Sequence, residues 1–138
     1  MESYKHTVQY YETDKMGITH HSNYIRWMEE ARVDFLQKIG WDYAKLENEG
    51  IISPVLEVSC KYRKSTTFSD DVVITVRIKE YKGVRFVFSY EMKDSDGNIV
   101  AEAESFHCFL NSDGKPVRPA KDFPEFHNTL IKYISDND

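Results

Sequence analysis

Cysteine is scarce in this chain. Only Cys60 and Cys108 occur in 138 residues, both in strand-like runs and without a CxxC spacing. That excludes a disulfide framework and a dithiol redox motif, and two buried apolar thiols are the expectation. Long apolar runs are missing too. No stretch approaches the roughly 20 residues that cross a bilayer, and Met1-Glu2-Ser3-Tyr4-Lys5-His6 carries no apolar signal segment. A cytoplasmic protein without a membrane partner is therefore expected. Basic excess is also lacking. The formal net charge of −5 argues against general binding to nucleic acid or to anionic membranes, which need a basic face. A local basic patch for a phosphate-bearing ligand stays open. With no linker, repeat or low-complexity tract, residues 1–138 read as a single domain.

What is present is ordinary in amount and uneven in kind. Hydrophobic residues make up 41% and charged residues 30%, while nine Tyr and eight Phe raise the aromatic share to 14%. A domain of this length buries roughly 70% of its unfolded surface and needs no disulfide or metal staple. Residues 4–11 alternate loosely and predict a strand; residues 12–21, with Gly17 and two adjacent histidines, predict a loop. Residues 23–39 carry the strongest helical pattern. Tyr24, Trp27, Met28, Ala31, Phe35 and Ile39 fall on one stripe. Ser22 or Asn23 is placed to cap this helix, Gly40 to end it, and Arg26 to pair with Glu30. A shorter helical piece covers residues 42–49.

After Pro54 the period changes to two. Leu56, Val58, Cys60 and Tyr62 share one strand face, as do Val72, Ile74, Val76 and Ile78, then Val84, Phe86, Phe88, Tyr90 and Met92. Residues 99–110 form a fourth long strand. Turn residues at 82–83, 94–98 and 111–114 predict an antiparallel meander. An amphipathic segment with Phe123, Phe126, Leu130, Ile131 and Ile134 closes the chain as a helix. One apolar helix and one sheet must cover each other, so the expected fold is α+β, with the sheet wrapped around the long helix. Val87, Phe106, Cys108 and Leu110 point to the sheet's second face. One helix cannot cover both faces, which makes a homo-oligomer the expectation.

The chemistry-bearing stretch is Tyr10-Tyr11-Glu12-Thr13-Asp14-Lys15-Met16-Gly17-Ile18-Thr19-His20-His21-Ser22-Asn23-Tyr24. It sets two carboxylates, a glycine and two histidines directly before a helix N-terminus. Unpaired N–H groups there can polarise a carbonyl and hold an oxyanion. A neighbouring carboxylate can act as general base or nucleophile, so acyl transfer is the reaction class these parts support. The competing reading is a capped turn with no chemistry. His6, Asp14, His20 and His21 lack metal-ligand spacing, and the adjacent histidines should diverge, so no metal site is expected.

Glu12-Thr13-Asp14-x-Met16-Gly17, His21-Ser22-Asn23-Tyr24 and Arg26-Trp27-Met28-Glu29-Glu30-Ala31-Arg32, followed by Lys61-Tyr62-Arg63 and Phe68-Ser69-Asp70-Asp71, resemble the 4-hydroxybenzoyl-CoA thioesterase-like branch of the hotdog-fold acyl-CoA thioesterases. The similarity spans roughly residues 5–120. It implies a hotdog fold and hydrolysis of an acyl-CoA thioester, coenzyme A being part of the substrate and no cofactor being needed. Asp14 matches the family's catalytic carboxylate. His21 stands at the helix start, where its backbone N–H would meet the thioester oxygen and its ring could assist. Asn23, Tyr24 and Gly17 belong to the motif and would shape the substrate pocket. Glu12 replaces a more usual Asp, and Thr19-His20 replaces a more apolar pair. The resemblance also implies a site shared between two subunits and a homotetramer built from two dimers joined edge to edge. Lys61, Arg63, Lys64 and Arg85 are candidates for the coenzyme A phosphates, with Lys61 and Arg63 preferred. Glu29 and Arg32 would form an ion pair. Tyr10 and Tyr11 would line the acyl pocket or simply pack in a strand. A thioesterase acting on acyl carrier protein, and a hotdog module that binds acyl thioesters without turnover, are the rival readings.

Overall fold

The computed structural model describes residues 2–135. Five strands form one antiparallel sheet: β1 (Tyr4–Thr7), β2 (Val55–Tyr62), β3 (Asp71–Lys82), β4 (Arg85–Lys93) and β5 (Ile99–Cys108). The helices are α1 (Ser22–Lys38), α2 (Tyr43–Glu49), α3 (Pro119–Asp122) and α4 (Pro124–Ser135), with a 3₁₀ turn at Tyr10–Glu12. The sheet wraps around α1, as expected for the α+β hotdog arrangement.

Strand order is β1-β3-β4-β5-β2, so only β3, β4 and β5 form the expected meander. Strand β2 lies at the far edge beside β5. Hairpin turns can fix neighbours only where two strands meet at a short loop. Residues 63–70 between β2 and β3 instead fold against the loop before α1. Strand β1 is shorter than the period suggested. Glu12 draws the chain into the 3₁₀ turn by accepting the Gln9 N–H at 2.8 Å.

The whole α1 stripe named from the sequence is buried. Phe35 meets Phe88 of β4 edge to face at 5.6 Å. Each such large side chain contributes about 1.5–3 kcal/mol when fully buried, and Ala at Phe88 would cost about 3–5 kcal/mol. Gly40, at φ +86, ends the helix. Its N–H donates to Gln37 O and that of Trp41 to Leu36 O, at 3.1 and 2.9 Å, the double bond pattern of a glycine-terminated helix. At the other end α4 packs over the sheet through Phe126, which lies 5.5 Å from Phe109 and 4.9 Å from Trp41.

The pairings expected on α1 do not form. Glu30 accepts from Tyr4 Oη at 2.8 Å and faces His6 instead of Arg26. Arg32 turns inward and not toward Glu29. It donates to Tyr43 Oη at 3.3 Å and Tyr90 Oη at 3.1 Å. Tyr90 then meets Ser105, and Ser105 meets His107 Nε2, at 2.6 and 2.7 Å. His107 Nδ1 has no hydrogen-bond partner among the described residues. Burial, and then the Arg32 guanidinium, push the His107 pKa down to about 4, against an opposing pull from the Ser53 and Pro54 backbone.

The second sheet face is not the apolar surface the sequence suggested. Its centre carries Ser59, Lys61, Thr75, Arg77, Ser89, Glu91, Glu102 and Glu104. Val87 is buried within the face itself, and Phe106, Cys108 and Leu110 are half-buried at one end. The unpartnered apolar surface lies instead on edge strand β2, where Val55, Leu56, Val58 and Tyr62 are all exposed. Cys60 and Cys108 are free and half-buried, less enclosed than expected.

Candidate active site

The loop between the 3₁₀ turn and α1 closes on itself. Thr13 bridges Thr19, Asp14 N donates to Ile18 O at 3.0 Å, and Gly17 N donates to Asp14 O at 2.9 Å. Gly17 sits at φ +79, a conformation that a side chain would strain. The carboxylate of Asp14 joins in through Oδ1, which accepts the Met16 N–H at 2.8 Å. Its other oxygen, Oδ2, has no hydrogen-bond partner among the described residues.

Two anchors hold this loop to the protein. On one side, Thr19 N donates to Thr66 O at 2.8 Å, Thr19 Oγ1 meets Thr66 Oγ1 at 2.6 Å, and Thr67 Oγ1 donates to Gly17 O at 2.7 Å. On the other side, Glu12 O accepts the His20 N–H and the Asn23 side-chain amide, both at 2.9 Å.

Helix α1 begins without the expected cap. His21 precedes it with helical backbone, at φ −56 and ψ −29, and its side chain caps nothing. Asn23 is occupied with Glu12 O, and Ser22 Oγ with His20 Nδ1 at 2.8 Å. Asn23 N and Tyr24 N donate to His20 O and His21 O. The His21 N–H is left with no acceptor among the described residues. Contrary to expectation, the two histidine rings do not diverge; they stack at 4.3 Å.

Asp14, Ile18, Thr19, His21, Tyr24, Tyr62, Arg63, Lys64 and Ser65 line one open pocket of about 590 Å³. The residue with a free carboxylate oxygen and the residue with a free N–H at a helix start thus line the same cavity. Tyr62 packs edge to face on Tyr24 at 5.1 Å and donates to His21 O at 3.2 Å. Burial raises the pKa of both Tyr24 and Tyr62, and that of the Cys60 thiol two residues before Tyr62 on β2. Their hydroxyls are neutral donors at ordinary pH.

Of the residues singled out from the sequence, Asp14, His21, Tyr24 and Arg63 line the pocket, as does Lys64. Gly17 shapes the loop behind it, and Asn23 is buried beneath it. Lys61 is not brought there. It lines a separate depression of about 370 Å³ on the outer sheet face, because neighbours along a strand point to opposite faces. Arg85 lies on the outer face as well, near Glu80 and the Phe106 ring. Tyr10 and Tyr11 neither line the pocket nor pack in a strand. They are 76% and 81% exposed on the 3₁₀ turn, where Tyr10 meets Phe68 edge to face at 5.7 Å. Sequence reasoning missed Tyr62 as a wall of the pocket. Its place beside Arg63 and in phase with Cys60 was the available signal.

The chain is similar in sequence and fold to known proteins. A Bacillus subtilis protein provisionally named an acyl-CoA thioesterase is 32% identical over 126 residues, covering 91% of each chain. A 1,4-dihydroxy-2-naphthoyl-CoA hydrolase from Thermosynechococcus vestitus is 28% identical over 111 residues, 80% of this chain and 76% of that one. The solved structure of a DHNA-CoA thioesterase from Staphylococcus aureus superposes with a TM-score of 0.90 at 33% identity, covering 99% of this chain and 92% of that one. The family model described as "Thioesterase-like superfamily" matches residues 8–129, from the end of β1 into α4. With fold, loop and helix start all inside that match, the chain belongs to the thioesterase-like superfamily.

Proposed function

We propose that this protein hydrolyses the thioester of an acyl-CoA to a free acid and coenzyme A, with Asp14 as the reacting carboxylate. The observation that carries this is that Asp14, with its unengaged Oδ2, and His21, with its unengaged N–H, line one pocket. The thioester carbonyl oxygen sits against the His21 N–H, where the positive end of α1 adds to the polarisation. Asp14 Oδ2 then removes a proton from water as its oxygen attacks the carbonyl carbon. The tetrahedral oxyanion collapses, the C–S bond breaks and the thiolate takes up a proton. In the covalent variant Asp14 Oδ2 attacks first, the thiolate leaves, and water hydrolyses the resulting mixed anhydride. The reaction uses no metal or bound cofactor, coenzyme A being part of the substrate.

Arg63 and Lys64 line the pocket and pair with Glu102, whose side chain is exposed, and Asp94, which is half-buried, both at 3.0 Å. Such pairs are weak, and a coenzyme A phosphate can displace the carboxylates. The aromatic edges of His21, Tyr24 and Tyr62 suit a flat acyl group, which places aryl-CoAs first among substrates. The pocket is open, and β2, which supplies its Tyr62 wall, has an apolar edge free to pair with that of a second copy. A dimer joined at β2 would close the pocket, and two such dimers would make the tetramer. The enzyme acts in the cytoplasm on a small-molecule thioester, without nucleic acid or membrane. No helix among the described residues is long and apolar enough to cross a bilayer. A hydrolysis screen over acyl-CoAs from short-chain to aryl, with the same acyl groups on acyl carrier protein, tests the reading. No turnover of any thioester would leave a binding module instead.

A further inference from the structure

Directly behind the reactive loop lies a carboxylate that the hydrolysis described above does not use. Glu12 is 4% exposed. Its Oε1 accepts the Gln9 N–H at 2.8 Å and meets His6 Nε2 at 2.8 Å. Its Oε2 accepts the indole N–H of Trp27 at 2.7 Å. Burial pushes the Glu12 carboxyl up, but Gln9, His6 and Trp27 together outweigh that and hold it below the usual range. The same residue's carbonyl takes the His20 N–H and the Asn23 amide. One residue therefore ties β1, the 3₁₀ turn, the far end of the loop and two turns of α1. His6 extends the chain to Glu30 at 3.2 Å, and Glu30 to Tyr4 Oη at 2.8 Å.

An ionised group in a protein interior is costly unless every partner is well placed. Here the partners converge beneath a loop whose own residues 14–17 are all exposed. Those residues bury no side chain to define where Asp14 stands. Glu12 lies two residues before Asp14, and its carbonyl holds the residue just before His21. We propose that Glu12 is a positioning residue for the thioester hydrolysis, fixing Asp14 Oδ2 and the His21 N–H at their working separation. This rests on the acyl-CoA reading given above. Misplacing a reacting group by about 1 Å can cost roughly 100-fold in rate.

Glu12→Gln tests it in the full-length protein. The amide oxygen can serve Gln9 and His6, but the amide N–H₂ then confronts the Trp27 N–H, donor against donor. On the best acyl-CoA, kcat should fall about 10- to 100-fold with KM changed less than about threefold. Amide exchange in residues 13–21 should speed up at least tenfold, with β3, β4 and β5 unchanged. Adding Trp27→Phe removes the opposing donor and should restore part of kcat, even though Trp27 is a core residue whose loss lowers thermal stability. A residue that only stabilises the fold would give the reverse order, with the double variant worse in both respects. An unchanged kcat for Glu12→Gln, or no recovery in the double variant, would overturn the positioning role while leaving the hydrolase reading intact. A wild-type protein inert on every thioester would overturn both, and the two failures are separable on the wild type alone.

Discussion

Tyr62 of the edge strand donates to the backbone carbonyl of His21 at 3.2 Å, so the open edge of the sheet and the start of the central helix are joined by one bond. That bond engages the carbonyl of His21, a pocket-lining residue whose own N–H has no acceptor among the described residues. The N–H is the expected donor to the thioester oxygen, and the ring is secondary. Removing the two separately distinguishes them. At φ −56, position 21 accepts the fixed φ of proline, which deletes the N–H. His21→Pro should lower kcat by roughly 10²–10³, whereas His21→Ala, which keeps the N–H, should lose much less. Equal losses, measured on the same acyl-CoA at matched thermal stability, would transfer the role to the imidazole.

Exposed apolar edges are normally covered or charged. Leu56 and Val58 on β2 are 64% and 36% exposed, with no lysine among the residues of that strand except Lys61. Light scattering at micromolar concentration should find about four chains. Leu56→Glu with Val58→Glu should break the β2 pairing, reduce the assembly below four chains and abolish turnover, because each pocket loses its second wall. A doubly substituted protein that stays tetrameric would place the interface elsewhere.

The interior histidine makes stability depend on pH. His107 titrates near 4 in the folded chain and near 6.5 when unfolded. Between those values the unfolded chain binds the extra proton, so stability falls as pH drops from about 6.5 to 4. The full contribution is about 3 kcal/mol. Glu12 and Asp94 have lowered carboxylate pKa values, and their contributions are lost only at more acidic pH, as it falls below the ordinary carboxylate range. Denaturant melts at pH 7 and pH 5 should therefore differ for the wild type, and differ distinctly less for His107→Leu. Identical pH dependence in the two proteins would remove His107 as the cause.

Local pattern carried much of this structure, and long-range pairing carried the rest. The α1 stripe, Gly40 as its terminator and the loop set before a helix start follow from spacing alone. Nothing in the period of β2 says that its neighbour is β5, since both strands alternate in the same way. Ser22 and Asn23 have cap chemistry, yet Asn23 is spent on the carbonyl of Glu12, a contact between residues 11 apart. Arg32 and Glu30 lie at helical pairing distance from opposite charges and choose tyrosines and a histidine from other elements. Lys61 is the instructive case. Period two already set it opposite Cys60 and Tyr62, and the resemblance outweighed that alternation in the choice of phosphate ligands.

The carboxylate of Asp14 carries the central claim. In Asp14→Asn the amide keeps nearly the same shape but can neither take a proton from water nor attack a thioester. With the best acyl-CoA, kcat should fall by roughly 10²–10⁴, more if the aspartate acts covalently. KM should move less, since Asp14 meets the reacting carbonyl and not the coenzyme A tail. Melting temperature and oligomeric state, taken on the same preparation, should match the wild type. A folded Asp14→Asn protein of unchanged assembly that hydrolyses its best substrate at near wild-type rate would contradict the assignment.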